Sequence, residues 1–300
     1  MLDLKTLFVT LAVITTFVGL ALFFYGKNSK TYPGFHLWAI GTFFAAISYI
    51  AMLLRGGAIP VWASILIVNG AAVLAGLFRL DGVTRFLRGK SLARMYYASF
   101  PVAVLFAGYF HFIRDSVIIR TAALAGWACL FTWAIAALFI RSESAGTRLL
   151  NYTAGGINIA YGLSMLVRTV LNAQNGGSAI LESNAPNAVF FSSVIVYEIW
   201  LGQLIMMMNS RRMEQELKLN EEELRLNVDR LGKAMSEVKV LKGLLPICAT
   251  CKKIRDDRGY WKQLEWYIDE HSEATFTHGI CPECADDFRK EVEVLQHRPQ

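Results

Sequence analysis

Residues 188–227 read AVFFSSVIVYEIWLGQLIMMMNSRRMEQELKLNEEELRLN. The first half is apolar apart from Glu198 and a few hydroxyl and amide groups, whereas from Arg211 and Arg212 onward the chain is densely charged. No proline interrupts it before Pro246, so one helix can leave hydrocarbon and continue into water. The same break divides the whole protein. Residues 1–210 hold 14 Lys and Arg against 6 Asp and Glu, and residues 211–300 hold 16 against 18. The net charge of +6 is therefore +8 on an apolar front part and −2 on a polar tail. Of the 300 residues 54% are hydrophobic and only 18% charged, where a soluble domain carries about a quarter charged residues. A single soluble globule, a disordered chain and a disulfide-rich secreted domain are excluded. Positive charge lying beside hydrophobic segments gives no case for nucleic acid as a partner; membrane lipid is the expected environment.

Working back from this stretch, apolar runs of about 20 residues, enough to cross roughly 30 Å of hydrocarbon as helix, recur over 6–25, 35–54, 59–78, 94–113, 118–140, 151–171 and 188–208. Helix is the structure for such runs, because lipid offers no partner to unpaired backbone groups. The expected fold class is an all-α membrane protein: a seven-helix transmembrane bundle over 1–210, a helical coiled-coil linker over 211–244, a treble-clef-like four-cysteine zinc finger over 245–293, and a disordered tail over 294–300. Lys and Arg set the orientation. The odd loops carry nine (Lys27, Lys30, Arg79, Arg85, Arg88, Lys90, Arg94, Arg141 and Arg148), the even loops three (Arg55, Arg114 and Arg120). The N-terminus is then outside and the C-terminus cytoplasmic. Loop 6, residues 172–187, is uncharged except for Glu182 and reads as a polar connector.

Ionisable groups within spans are costly and point to function. Glu198 is the acid placed deep in a span, and Arg168 in span six reaches toward it by its long stem. Asn69, Asn158, Tyr161 and His111 add hydrogen-bonding groups. Glu198, Arg168 and Asn69 are the candidates for ligand sensing, against the plainer reading of Glu198 as a neutral or locked packing residue. Cys129 reads as small apolar filler.

In the linker, Leu217, Leu224, Val228, Leu231, Met235, Val238 and Leu245 follow the alternating three- and four-residue steps of a supercoiled seam from Leu224 onward. A parallel homodimer through 211–244 is expected, with a single amphipathic helix as the alternative.

The tail carries the most specific chemistry. Cys248-Ala-Thr-Cys251 and Cys281-Pro-Glu-Cys284 are separated by 29 residues and use four of the five cysteines. Two C-x-x-C turns present thiolates in pairs, and together they make a closed tetrahedral zinc site. In a reducing cytoplasm a structural disulfide is not expected, and metal would stabilise a segment too small for an ample core. Iron held as in rubredoxin is the alternative, but Lys252 and Ala285 stand where rubredoxin has glycine after each pair. Lys252, Lys253 and Arg255, with Tyr260 and Trp261, are candidate partner contacts; the two aromatics equally suit a small core. His271 and His278 read as structural or surface residues.

Two resemblances follow from these motifs. Thr31-Tyr32-Pro33-Gly34-Phe35-His36-Leu37-Trp38, with Ile59-Pro60, Asn69, Phe86 and Gly89, resembles the seven-helix membrane module of bacterial signalling proteins, especially those ending in a diguanylate cyclase domain. The cyclase domain is absent, so its activity does not carry over. Leu245-Pro246-Ile247-Cys248-Ala249, Cys251-Lys252-Lys253-Ile254-Arg255-Asp256-Asp257, Gly259-Tyr260-Trp261 and His278-Gly279-Ile280-Cys281-Pro282 resemble a small cysteine cassette at the ends of bacterial sensor and response-regulator proteins. These imply a bacterial inner-membrane signal-transduction receptor without enzymatic output, acting on a cytoplasmic signalling protein. A thiol-based redox or metal sensor is the alternative, and a small-solute transporter or membrane enzyme the weaker one.

Overall fold

The computed structural model describes residues 4–142, 148–174, 185–237, 245–256 and 258–296. The described chain falls into two compact units, Met1–Lys218 and Leu219–Gln300.

Among the described residues of the first unit the named elements are helices: α1 (Leu4–Asn28), α2 (Phe35–Leu53), α3 (Val61–Arg88), a 3-10 turn over Arg94–Ala98, α4 (Ser99–Phe112), α5 (Val117–Ile140), α6 (Arg148–Gln174) and the start of α7 (Ala185–Glu237). Six helices among the described residues are long and apolar enough to span a membrane, so the protein is an all-α, multi-pass membrane protein. The expected fourth span is different: α4 has 14 residues, about 21 Å of helix. Pro101 gives the reason. Tolerated in a first turn, its ring clashes with the carbonyl four residues back, which is that of Tyr97, so the segment before Ser99 adopts the tighter turn.

α3 also departs from expectation. It runs ten residues beyond the expected end at 78 and stops at Gly89, whose φ of 67° forms a left-handed C-cap, with Arg85 and Arg88 in the last turn. Arg79 therefore lies within a helix rather than in loop 3.

α3 packs against α2, α4 and α5, while α1 lies on α2 and α6 on α5. α7 closes against α1 and α6 through Phe191 on Phe8 and Tyr197 on Tyr161, whose rings stack at 4.0 Å. The interior holds Phe35, Trp38, Leu77, Phe86, Phe139 and Ile205. Leu105, Leu149 and Val189, all more than two-thirds exposed, are side chains for which lipid is the natural neighbour. Close approach uses small residues: a methyl on Gly155 would stand 2.7 Å from Ile140, whereas Gly156 faces nothing. Gly34 is stricter. Its φ is 96° and a methyl there would meet the Gly82 carbonyl at 2.2 Å, so the Pro33-Gly34 turn can lie on α3 only as glycine.

The second unit holds the rest of α7, an antiparallel pair β1 (Ile254–Arg255) and β2 (Trp261–Lys262), α8 (Leu264–His271) and α9 (Pro282–Gln296). α7 is one helix of 53 residues, and Leu217, Leu224, Val228, Leu231 and Met235 are all more than half exposed along it. The seam's continuation at Val238 and the linker to 244 lie outside the described residues, as do Glu182 and residues 297–300. α9 continues past the expected boundary at 293.

Candidate functional site

Glu198 sits on α7 with 1% of its side chain exposed and does not meet Arg168. Its partner is Arg79 of α3, 10% exposed, with Nη2 donating to the carboxylate at 2.7 Å. The longer α3 explains this, because it carries Arg79 inside the bundle. Asn158, also fully buried, donates to the Ala154 carbonyl and accepts from the Tyr197 hydroxyl at 3.1 Å.

Arg168 is held differently. Its Nε donates to Asn187 Oδ1 at 2.9 Å, and its guanidinium lies over Phe190 and Phe191 at 4.6 and 4.9 Å. Asn187 is buried and also accepts from Asn172. Among the described residues, neither Nε of Arg79 nor Nη2 of Arg168, both buried, finds an acceptor. Both line one cavity of about 140 Å³ between the helices. Phe8, Met52, Val68, Phe131, Met165 and Val194 form much of its wall, with Ser48, Tyr49, Thr132 and Tyr161 contributing polar edges.

Asn69 lies elsewhere. Its side chain donates to the Ile65 carbonyl and borders a second cavity of about 280 Å³ with Arg55, His111, Asp115 and Arg120. The two cavities share Met52, Val68 and Leu124. Arg120 donates to Asp115 at 2.7 Å and holds that exposed carboxyl below the usual carboxylate range. Cys129 is buried, with its thiol donating to the Gly162 carbonyl at 3.2 Å.

Where α7 leaves the bundle it is gripped by residues that sequence reasoning did not connect. Asn209, fully buried, accepts from Tyr32 N and donates to the Lys30 carbonyl at 3.0 Å. Arg212 donates to the Phe86 carbonyl at 2.6 Å and lies over the Tyr32 ring at 4.3 Å. Lys30 and the Tyr32 hydroxyl both bond Glu216. Partial burial and then the Glu216 bond push the Tyr32 phenol up to about 12. The Thr31-Tyr32-Pro33-Gly34 motif is thus half of a collar around α7. In the sequence Arg212 is an ordinary charge at a membrane exit, and nothing there pairs it with Tyr32. Asp81 was missed as well: buried on the extended α3, it accepts from Arg85, the Leu92 amide and the Tyr97 hydroxyl, which ties the loop after α3 to the helix.

No family model, curated protein or solved structure matches the chain.

In the tail, Lys252 adopts φ 57° and donates its N–H to the Cys248 carbonyl, closing the first C-x-x-C turn. Cys281 precedes α9, Pro282 opens that helix, and the Cys284 amide points at the Cys281 sulfur at 3.4 Å. Backbone N–H groups of Cys251 and Thr250, then the Cys251 side chain, lower the Cys248 thiol; the Cys284 backbone, then its side chain, lowers Cys281. Each pair has the form and donor chemistry of half a zinc site. Among the described residues, however, no three His, Cys, Asp or Glu side chains gather closely enough to hold a metal ion. Ile254 and Tyr267 are buried, whereas Tyr260 and Trp261 are 70% and 49% exposed, and Lys252, Lys253 and Arg255 are exposed too. The aromatics are therefore surface groups. His271 stacks on Tyr267 at 4.1 Å and its Nδ1 bonds the Tyr267 carbonyl, a structural role.

Proposed function

We propose that this protein is a seven-span receptor of the bacterial inner membrane that passes a signal from its bundle to a cytoplasmic, zinc-binding interaction module, without enzymatic output. One observation carries the reading. A single helix, α7, bears the buried Glu198 and the cavity-lining Tyr197 and Val194, passes the collar at Asn209 and Arg212, and continues to Glu237 with an unpaired apolar stripe. A shift of α7 at the cavity would be felt along that stripe. The resemblances to bacterial sensory modules and to the cysteine cassette favour the same reading.

The 3-10 turn and α4 together reach about 31 Å at their respective rises per residue, which supports counting them as a fourth crossing. With Arg79 buried inside the bundle and so not counted, the eight other basic residues near the odd-loop ends against three at the even-loop ends still favour a cytoplasmic C-terminus. There, Cys248, Cys251, Cys281 and Cys284 would hold zinc and fix the tail, and Lys252, Lys253, Arg255, Tyr260 and Trp261 would meet a signalling protein. Exposure of Cys251, Cys281 and Cys284 also favours a second reading, in which a peroxide takes two electrons from each C-x-x-C pair to leave a disulfide and water, releasing the metal as the signal.

The apolar stripe would pair with a second copy in a parallel coil. A benzophenone amino acid replacing Leu224, Leu231 or Met235 in native membranes is expected to give chain-to-chain crosslinks, and one replacing Lys233 on the far side few. Equal yields at all four positions would overturn the dimeric relay.

A further inference from the structure

We propose that the cavity between α1, α2, α3, α5, α6 and α7 binds a small apolar carboxylate, a monoanion whose body is about the size of one aromatic ring. The inference deepens the receptor reading and rests on it for its role as a signal. Size comes first: at about 140 Å³ the space is close to an engineered apolar cavity of about 150 Å³ that admits benzene. Its wall is largely aromatic, aliphatic and methionine side chain. Charge then selects among ring-sized ligands. Two guanidinium groups line the space, and Glu198 balances Arg79 alone. Arg168 is fixed by an amide oxygen and two ring faces, with no carboxylate bonded to it among the described residues.

A buried charged donor without an acceptor is unfavourable, and among the described residues Arg168 Nη2 has none. A carboxylate supplies the acceptor and the missing negative charge together, in the bidentate geometry suited to guanidinium. A neutral ring leaves the charge unmatched, a dianion exceeds it, and a cation meets two positive groups. Such an acid can come from solution as an aromatic carboxylate or from the bilayer as a fatty acid.

Benzoate, benzamide and octanoate titrated into the detergent-purified full chain decide the matter. Benzoate is expected to bind at least about tenfold more tightly than benzamide, the loss of one charged hydrogen bond. Arg168→Gln should remove that preference by weakening benzoate far more than benzamide, and Arg168→Lys should restore part of it. Ala72→Phe, which fills the cavity and keeps Arg168, should weaken both ligands. Equal binding of benzoate and benzamide, or benzoate binding unchanged in Arg168→Gln and Ala72→Phe, overturns the proposal. Octanoate binding without benzoate overturns the ring-sized body in favour of a lipid-derived acid. Binding is read on the protein itself and coil crosslinking separately: benzoate binding with no coil response contradicts the relay alone, and a working relay with no benzoate binding contradicts this inference alone.

Discussion

Glu198 and Arg79 show what a buried charge requires of its neighbours. Removing one partner of a buried pair leaves the other charged and dry, at a cost of about 3–5 kcal/mol, whereas replacing both with apolar groups of like volume is often close to neutral. Glu198→Leu and Arg79→Met should each destabilise the bundle by that order, and the double variant by clearly less; thermal unfolding in detergent reads the cycle. Additive losses would mean that the pair is not coupled. In the tail, the lowered Cys248 and Cys281 thiols favour thiolate in the folded state. Their stabilisation is present above the ordinary thiol pKa of about 8.5 and is lost as pH falls through the lowered values. Maleimide labelling of the metal-free protein near neutral pH should therefore run faster at these two cysteines than at buried Cys129, and zinc should suppress it. Labelling of Cys248 and Cys281 at the Cys129 rate would contradict this.

Among the elements, periodicity and composition made six of the helices legible, because hydrocarbon imposes a length and a polarity that residues declare directly. The failures have local causes. At Arg79 a charge was read as the end of a span, while the physical stop is Gly89, the residue whose missing Cβ permits the left-handed cap. At the expected fourth span, Pro101 confines the α-helix to the 14 residues from Ser99. Partners were less legible than elements: Glu198 was found as a lone buried acid, yet its cation stands 119 positions away and its own helix says nothing of it. The collar is a similar case. Asn209 makes its bonds to Tyr32 N and the Lys30 carbonyl, backbone groups that no side-chain pattern records. Asn209→Ala leaves these groups and should loosen α7 by about 1–3 kcal/mol. Protease susceptibility of the segment after Ser210 in membranes should rise; unchanged cleavage would show that Arg212 and Glu216 hold the exit without Asn209.

At the scale of the molecule, α7 lines the buried cavity and carries an exposed apolar stripe, which in the proposed receptor pairs with a second copy. The C-x-x-C spacing marks the tail's candidate donors, but pairs with 29 residues between them are not brought together by spacing alone; metal is the proposed agent. The most direct measurement is photo-crosslinking from position 231 in native membranes, with Glu198 intact and with Glu198→Gln. Freed from its carboxylate, Arg79 should repack the cavity side of α7. A change of at least about twofold in crosslink yield at 231 relative to 233 is expected, at equal protein levels. An identical ratio in the two proteins would contradict the claim that the buried site and the stripe act through one helix.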